Sequence, residues 1–247
     1  MVELISPELP PLMSARAVAG DPFAAACLAA AGGCDAGLVL HDAAAADSLS
    51  AALVLAPEVP LRRACAMLPL AGVGLQNALG ALSPPEVGVQ LRWDGTVIVN
   101  GAAAGRLRIA AGPGQEPGEL PDWLVVGWRL ALTLPPDDPG RTPDRTALSE
   151  EGCADIPPVT LLEAWCRHTL VWLHRWEDEG NAPLHAEWSG LVADLDGPLP
   201  DDAPGAPGIL LGTDEDFGLL VRDGDATRVV PLSWLLADHP ASKEASS

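Results

Sequence analysis

The sequence predicts an α+β protein in which a mixed, largely antiparallel β-sheet packs with helices and is followed by a small C-terminal β unit. Three observations support this fold class. Apolar residues make up 48% of the 247 residues, which is enough for a sizeable core. Short apolar or alternating runs, typical of strands, outnumber the helical patterns. Near the end of the chain an Asp-Gly pair separates two apolar runs, the pattern of a β-hairpin.

The first third of the chain begins with a proline-rich stretch over 1–12 that we expect to be extended. Asp21 can cap a helix that Pro22 opens and that the glycines at 32 and 33 end. A second helical pattern contains Pro69, where we expect a kink. The elements expected here are a helix over 21–33, strands over 36–42 and 48–60, and a helix over 61–82.

The middle of the chain reads as a series of strands. They are expected over 86–93, 97–101, 102–111 and 122–134. Side chains alternate along a strand, so Arg106 and Arg108 share one face, although the sequence does not say which face it is. These arginines either belong to a site or simply face solvent, paired with acids such as Glu116 or Glu119.

The clearest helix is expected over 159–180, with a capping box formed by Thr160 and Glu163 and an end at Gly180. Its leucines and tryptophans, together with Val171, lie mostly on one broad face, which indicates a core stripe. The hairpin pattern turns at Asp223-Gly224. We therefore expect three regions: a main domain over 1–195, a small β domain over 196–236 and a disordered tail over 237–247.

The charge balance narrows the range of partners. Fourteen basic residues against 34 acidic ones give a net charge of −20, which argues against binding to nucleic acid or to an anionic membrane surface. The only lysine is Lys243 in the expected tail, so no catalytic lysine is expected in the folded body. No apolar run reaches the roughly 20 residues of a membrane span.

The cysteines and the N-terminus point to a reducing compartment. There are five cysteines and no C-x-x-C motif, so disulfide staples and a zinc site are not expected. No calcium-loop spacing occurs among the acids, and no metal site is predicted. The first residues lack the basic and apolar regions of a signal peptide. A cytoplasmic location is expected.

The order of these segments resembles the bacterial biotin protein ligase and lipoate ligase family. That family carries K-W-P-N-D, then a strand and a glycine turn, then K-x-x-G-I-L. Here Arg92-Trp93, residues 97–101 and Gly105-Arg106-Leu107 stand in those places. The run "VVGW" (125–128) resembles the family strand V-I-G-x-G-x-N, and "TALSEEG" (146–152) resembles its T-S-L-x-E-E segment. The C-terminal unit is similar to a small SH3-like barrel.

This resemblance implies a reaction. In the family, a carboxylate attacks the α-phosphate of ATP to give an acyl-adenylate and pyrophosphate, and a target lysine then takes the acyl group. Because two anionic partners meet, the site needs fixed cations and backbone donors. The family provides them with a loop of the type G-R-G-R-x-G-R and with the lysine of K-W-P-N-D. The loop also covers the adenylate.

The sequence departs from the family at these points. The stretch expected to hold the arginine-rich loop, within 40–53, contains "HDAAAADSLS", which is shorter and acidic. Arg92 keeps a positive charge but not an ammonium, and alanines stand where a lysine should precede Gly105. Arg129 and Ala131 replace the second glycine and the asparagine of V-I-G-x-G-x-N. Losing one transition-state partner typically costs about 3 kcal/mol, so losing several predicts negligible adenylation.

Three hypotheses follow. The favoured one is a ligase-like protein that has lost acyl-adenylate chemistry and binds a small anionic or acyl ligand, or a protein partner, in the remnant cleft. The second is an active, divergent biotin- or lipoate-protein ligase that uses ATP and has Arg92 as its catalytic cation. The third is a non-catalytic scaffold that acts through its surfaces, for example as a homodimer. The predicted ligand contacts are Arg92, Trp93, Gly105, Arg106, Leu107 and Gly127.

Overall fold

The computed structural model describes residues 6–43, 45–113, 116–134, 144–195, 197–199 and 206–236. The larger sheet contains β1 (Ser14–Ala17), β2 (Leu38–His41), β3 (Ser48–Leu55), β4 (Val89–Leu91), β5 (Thr96–Val99), β6 (Ala102–Ala111) and β7 (Leu124–Ala131). Their spatial order is β1-β2-β3-β7-β6-β5-β4. Strands β1 and β2 run parallel, and the other neighbouring pairs are antiparallel. The predicted mixed, largely antiparallel sheet is confirmed.

Helices cover both faces of this sheet. They are α1 (Pro22–Ala31), α2 (Leu61–Ala64), α3 (Met67–Leu82), α4 (Pro158–Glu179) and α5 (Asn181–Leu191). Helix α1 packs on one face, where Phe23 joins Ala52 and Val125 in a small buried cluster. Helices α3 and α4 pack over the other face in a larger core. There Trp128 and Trp165 meet edge to face with ring centroids 5.5 Å apart.

The start of α1 agrees with its predicted cap. The Asp21 carboxylate accepts a hydrogen bond from the Phe23 N–H at 3.0 Å, and Pro22 occupies the first helical position. A proline is tolerated there because the first N–H groups of a helix have no partner within the helix. The helix ends at Ala31, immediately before the two glycines.

The predicted helix over 61–82 is divided. Helix α2 ends at Ala64 and α3 begins at Met67, so the break comes before Pro69, and the prediction of a kink at this proline is wrong. Pro69 lies in the first turn of α3, where its missing N–H removes no hydrogen bond. By length and composition Leu61–Leu82 could cross a membrane, but 72% of its most apolar 18-residue window is buried in the protein, as in a core helix.

Helix α4 confirms one predicted terminus and corrects the other. Gly180 ends it with a φ of 76° and an N–H that donates to the Trp176 carbonyl. The capping box is wrong, because the helix already begins at Pro158. The Glu163 carboxylate instead accepts the Glu8 N–H at 2.8 Å. The predicted core stripe is buried at Leu161, Leu162, Trp165, Trp172 and Trp176, whereas Val171 is exposed.

Two elements escaped prediction. Strand β1 is short and mostly exposed, so it lacks an apolar pattern and is defined only by its pairing with β2. Helix α5 follows α4 directly after Gly180 and contains Pro183 and Gly190, residues that disfavour a helix. It forms because Leu184 and Trp188 bury its inner side. Tertiary packing outweighs local propensity in both cases.

The C-terminal unit, residues 209–236, is a three-stranded antiparallel sheet followed by a 3-10 helix. Its elements are β8 (Ile209–Thr213), β9 (Leu219–Asp223), β10 (Ala226–Val230) and the 3-10 helix Leu232–Leu235. Gly224 takes a positive φ of 59° in the turn between β9 and β10, as the hairpin pattern predicts. The predicted tail, 237–247, lies outside the described residues.

All five cysteines are free. Burial raises the pKa of the Cys27, Cys65 and Cys166 thiols to about 12. Thiols with such pKa values stay protonated at neutral pH and react slowly. These three cysteines are therefore packing residues and not nucleophiles.

Candidate ligand-binding face

Four polar side chains stand in register across four neighbouring strands. Thr96 of β5 is opposite Arg106 of β6, Arg106 is opposite Arg129 of β7, and Arg129 is opposite Ser50 of β3. Residues directly opposite each other on adjacent strands point to the same face of a sheet. We call Thr96, Arg106, Arg129 and Ser50 the arginine row.

The arginine row lies on the same face of the sheet as α1. Leu107 and Ile109 belong to the core under α3 and α4, whereas Ala110 belongs to the cluster under α1. By alternation, Arg106 and Arg108 face the α1 side. The prediction that they share a face is consistent with this burial pattern. Helix α1 does not cover the end of this face where Arg106 stands, and the Arg106 side chain is 62% exposed.

Positive charge is concentrated on this face. The Arg108 guanidinium lies 4.2 Å from the Phe23 ring centroid and donates to the Asp21 carboxylate at 2.9 Å. Arg106 has only a distant partner, with 4.0 Å between its Nη2 and Asp94 Oδ2. The suggested partners Glu116 and Glu119 are wrong among the described contacts, since Asp21 and Asp94 take their place.

Arg129 has no ion pair with any residue that the structure describes. It stands directly opposite Arg106, and like charges in such a cross-strand pair repel each other. Ser50, its neighbour on the other side, is 5% exposed, and its hydroxyl finds no hydrogen-bond partner among the described residues. The row therefore combines unsatisfied positive charge with an unsatisfied polar atom.

A cavity of about 340 Å³ opens beside the row, along the edge of β6 that β5 leaves uncovered. Asp94, Arg106 and Arg108 provide its polar lining. Its apolar lining includes Leu68, Ile109, Leu235 and Leu107, one of the predicted ligand contacts. The cavity thus joins the cationic face to apolar side chains of the core and of the C-terminal unit.

The two predicted glycines lie on β6 and β7, Gly127 on the α1 face and Gly105 on the opposite one, and packing requires both. A Cβ on Gly105 would lie 2.2 Å from the Arg129 carbonyl oxygen. One on Gly127 would lie 2.8 Å from the Ala51 carbonyl oxygen and 2.9 Å from the Phe23 ring. Their proposed contact with a ligand stays a prediction.

The other predicted contacts turn away from the row. The Arg92 Nε donates to the Asp194 carboxylate at 2.5 Å. Trp93 is buried, and its Nε1–H donates to the Phe217 carbonyl of the C-terminal unit at 2.7 Å. Leu107 is buried in the core on the opposite face. The structure therefore brings Arg106 and Gly127 to the α1 face, places Gly105 and Leu107 on the opposite face of β6, and turns Arg92 and Trp93 toward the C-terminal segments.

Sequence reasoning missed Arg129, Ser50 and Thr96 as members of the site. Arg129 was noticed only as the residue that replaces a family glycine. It lies far from Arg106 along the chain, so only the register between β6 and β7 brings the two together. The only signal in the sequence was that side chains alternate between the two faces of β7. Alternation shows which residues of one strand share a face, but it does not show which residue of another strand lies opposite.

A short connection joins β2 to β3 next to this face. The Asp42 carboxylate accepts the Ser50 N–H at 2.5 Å, and the Asp42 N–H donates to the Ser50 carbonyl. His41 Nδ1 accepts the Ala43 N–H at 3.3 Å. Burial lowers the pKa of His41, and the nearby Asp42 partly opposes that shift. The connection, residues 42–47, contains two acids and no basic residue.

We expect His41 to contribute to a loss of stability in mild acid. Well above pH 6.5, the ordinary pKa of histidine, the ring is neutral in both the folded and the unfolded chain. As the pH falls below that value, the unfolded chain binds a proton that the folded chain resists, so the free energy of unfolding decreases. Urea denaturation of His41→Asn between pH 7 and 5 should show a smaller decrease than wild type. The exposed His174→Asn is the control, and equal decreases in wild type and His41→Asn would contradict the prediction.

Comparison with known proteins identifies two matching regions. Residues 9–190 match the model of the biotin/lipoate A/B protein ligase family. Residues 202–238 match a domain of unknown function, DUF4444. A biotin–[acetyl-CoA-carboxylase] ligase from Paracoccus denitrificans is 28% identical over 193 residues, which cover 75% of this chain and 78% of that protein.

Solved structures agree in fold. A biotin protein ligase-like protein of unknown function from Silicibacter sp. TM1040 is 50% identical, with a TM-score of 0.87 over 94% of this chain and 100% of that one. The biotin protein ligase of Aquifex aeolicus is 16% identical, with a TM-score of 0.71 over 93% and 98% of the two chains. At that identity the likeness concerns the fold alone.

Proposed function

Because the chain belongs to the biotin/lipoate A/B protein ligase family, we propose that it has lost ATP-dependent acyl-adenylate chemistry and binds a small anionic ligand on the arginine row. One observation carries this proposal: Arg106 and Arg129 stand directly opposite each other on an open face, and no described acid pairs with Arg129. The two guanidinium groups repel each other, although the chain as a whole carries a net charge of −20. An anion bound between them would remove this repulsion.

The chemistry of the row suits a carboxylate or a phosphate. Opposite residues on antiparallel strands have Cβ atoms about 5 Å apart, so both guanidinium groups can reach one anion. Each presents a planar fork of N–H donors that matches two oxygens of such an anion. The Thr96 and Ser50 hydroxyls at the two ends of the row could supply further hydrogen bonds.

The residues at the positions of the family's catalytic cations support the loss of adenylation. The connection between β2 and β3 presents Asp42 and Asp47 where the resemblance places arginines. Arg92 is held by Asp194. Arg129 stands where the family has a glycine, so its side chain takes up space on the face. A triphosphate would meet acids at the point where its transition state needs positive charge.

An active ligase is the second candidate, favoured by the similarity to a relative named as a biotin–[acetyl-CoA-carboxylase] ligase. It would use ATP and biotin or lipoate. Incubating the purified protein with ATP and either acid while measuring pyrophosphate separates the two candidates. We expect no release above background. Release that Arg92→Ala abolishes would establish the second candidate and overturn the loss of chemistry.

The binding proposal predicts that Arg129→Ala weakens anion binding about tenfold or more. The measurement is isothermal titration at low ionic strength with inorganic phosphate and with acetate, because salt screens exposed charges. Arg106→Ala should behave alike, whereas Arg222→Ala, an exposed arginine of β9, should bind as wild type does. Without ligand, Arg129→Ala should be no less stable than wild type, since it removes the repulsion with Arg106.

Asp94→Asn should change the affinity for anions in the opposite direction. It removes the carboxylate beside Arg106 but keeps an oxygen that can accept the Thr96 N–H. Anion binding should therefore become tighter. Equal affinities for wild type, Arg106→Ala, Arg129→Ala and Asp94→Asn would overturn the arginine row as the binding site.

A further inference from the structure

We infer that a second ligand site lies on the face of the main sheet opposite the arginine row, and that it binds a short apolar peptide with free amino and carboxyl ends. The site is a cavity of about 900 Å³ lined by α4, by the end of β3 and by the segments before β1 and β2. Its lining includes Leu53 and Met67, which belong to the core under α3 and α4. No residue of the arginine row lines it, so this inference is independent of the proposed function.

The interior of this cavity is apolar. The lining side chains that make it so include Leu53 and Leu55 of β3, Met67 of α3, and Leu170 and Leu173 of α4. The volume lies near the upper end of the range for ligand sites, about 300–1,000 Å³, so there is room for more than one leucine-sized group. Removal of such groups from water favours their binding.

A strained turn lies at the mouth of the cavity. The turn from Pro10 to Met13 closes with a hydrogen bond from the Met13 N–H to the Pro10 carbonyl at 3.2 Å. Leu12, its third residue, lines the cavity with a φ of 71°, a conformation that favours glycine or asparagine. The Leu12 side chain is 79% exposed. A large apolar side chain held exposed at a conformational cost indicates contact with a ligand.

The charged side chains of the lining have both signs and do not pair with one another. The Arg63 guanidinium stacks on the Trp176 ring, with its Cζ 5.6 Å from the ring centroid. Within the described part of the chain, Arg63, Glu58 and Glu177 make no ion pair. A ligand with one negative and one positive group can pair with both signs, whereas an anion alone would face two carboxylates.

A short peptide with apolar side chains has all of these properties. Its terminal carboxylate can accept hydrogen bonds from Arg63, and its terminal ammonium can donate to Glu58 or Glu177. Its side chains can enter the apolar interior. A fatty acid has no positive group, and an apolar amine has no negative one.

Isothermal titration with the tripeptide Leu-Leu-Leu and its two capped forms tests the inference. Wild type should bind the free peptide, and an N-terminal acetyl group or a C-terminal amide should each weaken binding about tenfold or more, as expected for the loss of one charge-assisted hydrogen bond. Arg63→Ala should weaken the free peptide to the same extent but change the affinity for the amide no more than about twofold, because the amide already lacks the partner of Arg63. Arg62→Ala, the neighbouring exposed arginine outside the lining, is the matched control and should bind as wild type does.

The acids are tested at the other end of the peptide. Glu58→Gln combined with Glu177→Gln should weaken the free peptide and leave the affinity for the N-acetyl peptide unchanged. Asp178→Asn is the control, since Asp178 is exposed beside Glu177 but does not line the cavity.

Leu12→Asn separates binding from folding. Asparagine tolerates a positive φ, so this variant keeps the turn while it removes the apolar side chain from the mouth. It should melt no lower than wild type and yet bind the free peptide more weakly. The inference is overturned if wild type binds no peptide, if the free and capped peptides bind equally, or if none of these substitutions weakens binding.

Discussion

Replacing Trp93 with alanine is expected to lower the free energy of unfolding by about 3–5 kcal/mol. The side chain is 5% exposed, so its removal leaves a cavity where the main sheet meets the C-terminal unit. It also deprives the buried Phe217 carbonyl of the indole donor at 2.7 Å. An acceptor left unsatisfied in the interior adds to the cost. Urea denaturation followed by circular dichroism measures the change.

Trp234→Ala is the matched control for this variant. Trp234 is 61% exposed, so the same truncation should change the free energy of unfolding by no more than about 0.5 kcal/mol. Hydrogen exchange distinguishes local from global effects. In Trp93→Ala, amides of β8 and β9 should exchange earlier than those of β3 and β7. Equal stability of the two alanine variants would contradict the view that Trp93 anchors the C-terminal unit.

Gly105→Ala is expected to destabilise the protein by about 3 kcal/mol or more, at or beyond the upper end for overpacking. The added Cβ would lie 2.2 Å from the Arg129 carbonyl oxygen and 3.0 Å from the Leu130 Cα. Both atoms belong to the backbone, so no side-chain rotation relieves the contact. Strands β6 and β7 must move apart, which also separates Arg106 from Arg129 and should weaken binding of acetate.

Gly190→Ala is a control of identical chemistry. It lies in α5 with no atom near the position of an added Cβ, and alanine favours a helix by about 0.5–1 kcal/mol over glycine. Thermal denaturation should therefore show Gly190→Ala at or above wild type and Gly105→Ala well below it. If Gly105→Ala melts as wild type does, the close approach of β6 to β7 is not a constraint on the sequence.

The elements of the main sheet were largely predictable because their patterns are local. Continuous apolar runs marked β2, β3 and β7, and an alternating run marked β4. Asp21 and Gly180 marked helix ends through the capping chemistry of one residue and its neighbours. Strand β1 and helix α5 carried no such pattern, since contacts distant in sequence define them.

The candidate site was only partly predictable. Residues 92 and 93 occupy the positions where the resemblance implies catalytic machinery, but their contacts fasten the C-terminal segments to the sheet. A motif records which residue types stand at which spacing, and it does not record which way a side chain turns. Arg106 was found because it follows the glycine of a segment that resembles a family motif, and Arg129 was missed because its partner is set by strand register.

The sequence by itself determined the fold class, the family resemblance, the strong negative charge and the absence of any lysine before the tail. These follow from composition and from patterns within a few residues of one another. Tertiary structure decided that Arg106 and Arg129 meet, that Arg92 pairs with Asp194 and that Leu235 reaches the cavity beside the row. The reason is physical: strand register and the docking of a second unit arise from burying apolar surface over the whole chain, and no local segment carries that information.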